Sequence, residues 1–214
     1  CLMLSLLRNV PQVDERCRNG RDKSGLVGTE LGGKTVGLIG VGAIGARTAN
    51  LCRAFGCKVL GYKRHVRGDE PSFVEFVPLD ELLARSDIVS LHCPLSDQTR
   101  HLINADTLAK MKPTACLINT SRGALIDAEA LLSAIKDRHV GAACLDVYEE
   151  ESDLFFEDYS GHIVEDDNPL YDMDNVILTP HMGWKGLETR QRLVALLAGN
   201  IRSYLEGRPI HVVS

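Results

Sequence analysis

Short apolar runs alternate with stretches of helical periodicity along most of the chain. Thr35–Ile39, Lys58–Tyr62, Val74–Val77, Ile88–Leu91, Ala115–Ile118, Ala142–Leu145 and Val176–Leu178 read as strands. Between them, Ile44–Phe55, Leu79–Arg85, Asn104–Lys110 and Ala128–Lys136 read as helices, with Asn104 and Asp127 placed as N-caps. Leu2 to about Arg18 reads as a helix interrupted or kinked at Pro11, since proline lacks the N–H that a helix interior uses. Leu187–Leu205 reads as a long helix stopped by Gly207 and Pro209. The strands are apolar without strict alternation, as expected when both faces are covered. The class is therefore α/β, a doubly wound parallel sheet with helices on both faces. One stretch breaks the rhythm: Glu149–Asp174 is acidic and contains Phe155, Phe156 and Tyr159. A loop of that length inside a compact domain is usually functional or mobile.

Gly40-Val41-Gly42-Ala43-Ile44-Gly45 has the form Gly-x-Gly-x-x-Gly, lying after one predicted strand and opening the next helix. That context makes it a Rossmann-type dinucleotide loop. Gly40 permits the tight turn, Gly42 lets the backbone approach a pyrophosphate, and Gly45 lets helix and strand pack closely. The N–H groups at Ala43 and Ile44 begin the helix whose partial positive charge favours phosphate. A carboxylate about 20 residues further on would bind adenosine ribose hydroxyls. Here that position is Lys63, followed by Arg64, with no carboxylate before Asp69. Two cations suit a 2′-phosphate, so NADP(H) is favoured and NAD(H) is the alternative.

Composition narrows the partners. The chain has 214 residues, 25% of them charged, and a formal net charge of −5. This balance argues against nucleic acid and anionic membrane, both of which reward a basic surface. The cysteine count is odd at 7, and no Cys-x-x-Cys pair occurs. That pattern predicts reduced thiols in a cytoplasmic protein and no zinc or other metal centre. The apolar opening, Cys1 to Leu7, lacks a basic leader and is far short of the ~20 residues of a membrane span. The chain starts at Cys1 rather than Met, which suggests a part cut from a longer protein.

Several further segments fall in a familiar order: Ser90-Leu91-His92-Cys93-Pro94-Leu95, Leu117-Ile118-Asn119-Thr120-Ser121-Arg122-Gly123, Leu145-Asp146-Val147-Tyr148-Glu149-Glu150-Glu151, and Leu178-Thr179-Pro180-His181. With the glycine loop, they make the chain resemble the D-isomer-specific 2-hydroxyacid dehydrogenases, closest to D-lactate dehydrogenase-like members. The resemblance implies hydride transfer between a nicotinamide cofactor and a small D-2-hydroxy or 2-keto acid. It makes Arg122 the residue that holds the substrate carboxylate, a task suited to a planar guanidinium. It makes His181 the general acid/base and Glu151 the carboxylate paired with it. It places His92, Cys93, Pro94, Thr99, Thr120, Arg122, Asp146 and His181 around the cofactor. It implies a dinucleotide-binding domain over residues 1–186, with 187–214 returning toward an absent substrate lobe. It also implies a homodimer, for which the apolar first helix (Leu2, Leu4, Leu6 and Leu7) is an expected exposed surface.

The sequence departs from the family's pattern in places. Ala43 stands where Arg is common in the glycine loop. The long acidic run after Glu151 favours a D-lactate/pyruvate-like substrate, whereas Met182-Gly183-Trp184 resembles the hydroxypyruvate and glyoxylate branch. A hydroxypyruvate, glyoxylate or phosphoglycerate-type reductase is therefore one alternative. A dinucleotide-binding corepressor is the alternative of a different class.

Overall fold

The computed structural model describes residues 1–20, 24–66, 68, 70–149 and 169–212. Its strands are β1 (Thr35–Ile39), β2 (Lys58–Tyr62), β3 (Glu75–Phe76), β4 (Ile88–Leu91), β5 (Cys116–Asn119), β6 (Ala142–Leu145) and β7 (Val176–Leu178). Among the described residues they form a parallel sheet in the order β3-β2-β1-β4-β5-β6-β7. The chain runs outward from β1 to β3, then crosses back and runs outward from β4 to β7. The order therefore reverses between β1 and β4, where Ile39 lies in register with Leu91. Ligands of open α/β sheets bind at such a reversal, beyond the carboxyl ends of the strands.

The helices are α1 (Leu2–Leu7), α2 (Val10–Arg18), α3 (Ala43–Ala54), α4 (Leu79–Arg85), α5 (Ala105–Leu108), α6 (Ala128–Lys136) and α7 (Leu187–Leu205). Alternate strand residues feed two apolar layers. Ile39, Leu60, Leu91, Leu117 and Leu145 pack with Leu82 and Leu83 of α4, Leu108 of α5 and Leu131 of α6. Val36, Leu38, Val59, Ile118 and Cys144 pack with Ala49 and Cys52 of α3 on the other face. Covering both faces explains why the strands carry apolar side chains almost continuously.

The N-terminal segment departs from the sequence expectation. The break lies at Asn9, which adopts φ 52°, and Pro11 sits in the first turn of α2. There its missing N–H is one that no helical carbonyl would have accepted, so proline fits instead of kinking. Leu2, Met3, Leu6 and Leu7 pack inward against the second apolar layer, leaving Leu4 as the exposed leucine of α1. The expected exposed face of this helix is thus mostly turned to the sheet. Both cap readings hold: Asn104 makes a reciprocal capping box with Thr107, and Asp127 accepts from the Ala130 N–H at 3.0 Å.

The chain forms two compact units, Cys1–Pro180 and His181–Ser214. The second is built on α7, which ends at Glu206 and turns out through Gly207 at φ 72°. Leu193, Leu197, Ile201 and Leu205 recur along α7 at helical spacing and are exposed. All seven cysteines are free thiols, five of them buried. Among the described residues, no helix is long and apolar enough to cross a membrane.

The cap on α6 gives a stability test. Asp127→Ala should cost about 1 kcal/mol, and Asp127→Asn only a small part of that. Urea unfolding of the two variants measures the difference.

Candidate functional site

The site begins with the turn that leaves β1. Gly40 adopts φ 96°, and a Cβ there would lie 2.6 Å from the Cys93 amide nitrogen and 2.7 Å from the His92 carbonyl carbon. The loops after β1 and β4 therefore touch through backbone, which only glycine allows. Gly45, in the first turn of α3, faces the same limit: its Cβ would lie 2.2 Å from the Gly40 carbonyl oxygen. Gly42 differs. It is exposed and extended at the N-cap of α3, and a Cβ there would meet nothing within 4 Å. Two of the glycines are thus explained by packing within the protein, and Gly42 faces open space. No side chain caps α3, and Gly42 at its N-cap lines a cleft, whereas Ala43, Ile44 and Gly45 are not among the lining residues. A phosphate is the ligand such a helix end accepts.

That opening is one wall of a cleft of about 430 Å³ at the β1/β4 reversal. Gly40, Gly42, Lys63, Arg64, His92, Cys93, Pro94 and Thr99 line it, joined by Tyr62, His65 and Gln98. Most of the expected cofactor residues therefore meet in one cavity. Its size is within the usual range for small-molecule sites, about 300–1,000 Å³.

Each wall has a local cause. Thr99 closes the turn beyond Pro94, donating to the Pro94 carbonyl at 2.7 Å and accepting from the Ser96 N–H at 2.8 Å. The His92 Nε2 lies 3.0 Å from Ser90 Oγ, and burial pushes its pKa down to about 4. His92 is therefore a neutral group near pH 7. Burial raises the Cys93 thiol, which suits packing and not nucleophilic chemistry.

Lys63 is not the free cation that the sequence suggested. It pairs with Glu70, a carboxylate that the chain brings back from beyond β2, and its Nζ also lies 3.5 Å from the Val41 carbonyl. Glu70 in turn accepts from the Gly68 N–H at 2.8 Å. Asp69 lies outside the described residues. Arg64 makes no ion pair with another described residue.

Arg122 stands on the next stretch of the rim. Buried Asn119, the last residue of β5, accepts from the Ser121 N–H at 3.0 Å and donates to the Arg122 carbonyl at 2.9 Å. Ser121 donates to the Cys93 carbonyl at 2.7 Å, tying this loop to the one beneath the cleft. The Arg122 side chain and Thr120 are exposed. Gly123 then packs on the exit of β6, where a Cβ would lie 2.0 Å from the Tyr148 carbonyl carbon. Asp146 is buried just past β6 and accepts from Thr179 Oγ1 at 2.5 Å. Glu149 accepts from Arg100 at 2.5 Å and from His101 at 3.0 Å. Glu151 lies outside the described residues. His181 opens the second unit with φ 51°, a left-handed conformation that is uncommon outside glycine.

Known proteins share this fold. The model of the D-isomer specific 2-hydroxyacid dehydrogenase NAD binding domain matches residues 1–183. The chain belongs to that family. It is 40% identical over 95% of its length to 2-hydroxyacid dehydrogenase A of Aspergillus oryzae, covering 60% of that protein. It is 42% identical over 96% of its length to a glyoxylate reductase of Thermofilum pendens, again covering 60% of the relative. The chain thus spans about three fifths of the length of these curated relatives. Among solved structures, the pyruvate reductase of Chlamydomonas reinhardtii superposes with a TM-score of 0.92 at 39% identity, covering 99% of this chain and 65% of that one. An acyclic imino acid reductase in complex with NADPH and D-Arg gives 0.85 at 35% identity, covering 100% and 65%. D-lactate dehydrogenase with NAD+ from Lactobacillus jensenii gives 0.88 at 32%, covering 100% and 66%.

In this 2-hydroxyacid dehydrogenase domain, nothing in the sequence marked Glu70 or the Arg100 and His101 contacts to Glu149, and Asn119 and Gly123 stood in a family segment without a role of their own. Asn119 was detectable as a polar residue closing an apolar run. Ser90 in β4 gives a similar signal. Glu70 had no such signal, because its contact depends on how the loop after β2 folds back.

Two tests follow from this geometry. Gly42→Ala should fold with at most about 1 kcal/mol lost yet bind dinucleotide at least tenfold more weakly. Gly45→Ala should lower the melting temperature even without ligand. The second test concerns His92, whose folded-state pKa of about 4 lies below the ordinary 6.5. Below pH 6.5 the unfolded chain takes up a proton that the folded chain does not, so the His92 contribution to stability falls between pH 6.5 and about 4. His92→Gln should flatten that part of the stability profile.

Proposed function

We propose that this chain is the cofactor-binding part of a nicotinamide-dependent D-2-hydroxyacid dehydrogenase, interconverting a small 2-keto acid and its D-2-hydroxy acid. The observation that carries the reading is the open space at Gly42, beside the uncapped start of α3 and inside the cleft at the sheet's reversal. A bound nicotinamide supplies or accepts the hydride. Gly40, Gly42 and the first turn of α3 (Ala43, Ile44 and Gly45) hold the pyrophosphate. Lys63 and Arg64 face the adenosine ribose, and Arg64 in particular favours NADP(H) over NAD(H). His92, Cys93, Pro94 and Thr99 form the wall beneath the dinucleotide, and Thr120 and Asp146 border it on the rim.

In this mechanism Arg122 binds the substrate carboxylate through its guanidinium fork and helps polarise the adjacent carbonyl. His181 donates a proton to the oxygen formed in reduction and takes it back in oxidation. Glu151 orients the His181 ring and favours its protonated form. The long acidic segment favours a pyruvate- or D-lactate-like substrate. A glyoxylate- or hydroxypyruvate-type substrate is the second reading, supported by Met182-Gly183-Trp184 and by the name of the Thermofilum relative. Residues 187–214 lead toward a substrate lobe, with 1–186 as the dinucleotide domain. We place the protein in the cytoplasm, where its free thiols stay reduced, and as a homodimer.

In the complete protein, Arg122→Lys should lower kcat/KM for pyruvate at least a hundredfold, because an ammonium cannot reproduce bidentate carboxylate binding. His181→Ala should lower kcat by about 10²–10⁴ while dinucleotide binding stays near wild type. Near-wild-type turnover in either variant would refute the assigned role.

A further inference from the structure

We propose that Glu70 sets the choice between NADP(H) and NAD(H) by controlling whether Lys63 is available to the 2′-phosphate. The inference rests on the reading of the cleft as a dinucleotide site and deepens it. Three observations support it. Lys63 stands at the end of β2, where the adenosine ribose of a dinucleotide is read, and lines the cleft with Gly40 and Gly42. Its ammonium is already engaged by Glu70, whose side chain is only 6% exposed. Arg64, beside it in the same wall, has no ion-pair partner among the described residues.

These facts divide the two cations into different roles. Arg64 can meet a 2′-phosphate without giving up an ion pair to any described residue. Lys63 must leave a buried carboxylate to do so. Removing one partner of a buried ion pair is costly, because the other charge stays in poorly solvating surroundings. After such a loss, the Glu70 carboxylate would keep the Gly68 N–H as a hydrogen-bond donor. NADPH therefore competes with Glu70 for Lys63, using a phosphate dianion against a carboxylate monoanion. NADH presents only ribose hydroxyls and leaves the pair in place. Glu70 consequently lowers NADPH affinity selectively and narrows the gap between the two cofactors. A chain with the same Lys63 and Arg64 but no Glu70 would bind NADPH more exclusively.

The test is direct binding of NADPH and NADH, followed by nucleotide fluorescence, to wild type, Glu70→Gln, Lys63→Met and the double variant. Glu70→Gln should tighten NADPH by about tenfold, the scale of one charge-assisted phosphate contact, and change NADH less than twofold. Lys63→Met should weaken NADPH more than NADH and so lower the NADPH-to-NADH affinity ratio. In the Lys63→Met background, Glu70→Gln should have no further effect on NADPH. An unchanged NADPH-to-NADH ratio in Glu70→Gln would overturn the proposal, as would the same gain in the double variant. Should Glu70→Gln fail to fold, Lys63→Met decides alone, and an unaltered NADPH-to-NADH affinity ratio there overturns the proposal. Wild-type protein that binds neither dinucleotide would overturn the reading of the cleft itself, and this proposal with it. A changed ratio with intact wild-type binding concerns Glu70 only.

Discussion

The site depends on one close approach, between the turn after β1 and the loop after β4. At Gly40 the two backbones leave no space for a Cβ, and at Gly45 the helix start leaves none against Gly40. This contact fixes the N-terminus of α3 beside the point where the strand order reverses. It also places His92, Cys93 and Pro94 across from the glycine turn as the opposite wall of the cleft. A larger residue at either glycine would separate the walls and close or distort the opening. Gly42 has no such packing reason and faces open space at the start of α3, on the lining of the cleft. The fold thus positions an uncapped helix end beside the cleft through sterics that involve no charged side chain.

Beyond the cleft, buried polar groups at the strand ends shape the rim. Asn119 bends the chain after β5 so that Arg122 is presented outward, and Ser121 ties that bend to the Cys93 carbonyl. Gly123 lets the same loop pack against Tyr148 at the exit of β6, while Asp146 takes a hydrogen bond from Thr179 after β7. Each of these hydrogen bonds satisfies a polar group that would otherwise be costly to bury. Together they join the carboxyl ends of β4 to β7 into one framework.

Much of this was legible in the sequence because the governing signals are local. Apolar runs buried on both faces located the strands within a residue or so, and the Asn104 and Asp127 caps followed from side-chain chemistry. The glycine spacing was readable as a pattern, although the contact that requires Gly40 lies with His92 and Cys93, far along the chain. The misses arose where distant segments meet. The interruption expected at Pro11 falls at Asn9, which leaves the proline in the first turn of α2, where it fits. Lys63 was read as a free cation, but its partner arrives through a loop whose path no local pattern encodes. Glu151 lies outside the described residues, so its role rests on the motif alone.

The central claim is that dinucleotide binds in the cleft between the glycine turn and the loop after β4. Backbone amide NMR of the 214-residue chain during titration with NADPH tests it most directly. The account expects saturable shifts at Gly40 to Gly45, Lys63 to His65 and His92 to Cys93, with residues at the opposite strand ends, such as Lys34, Asp87 and Thr114, unmoved. Shifts confined to those opposite ends, or no saturable shifts with either NADPH or NADH, would contradict it.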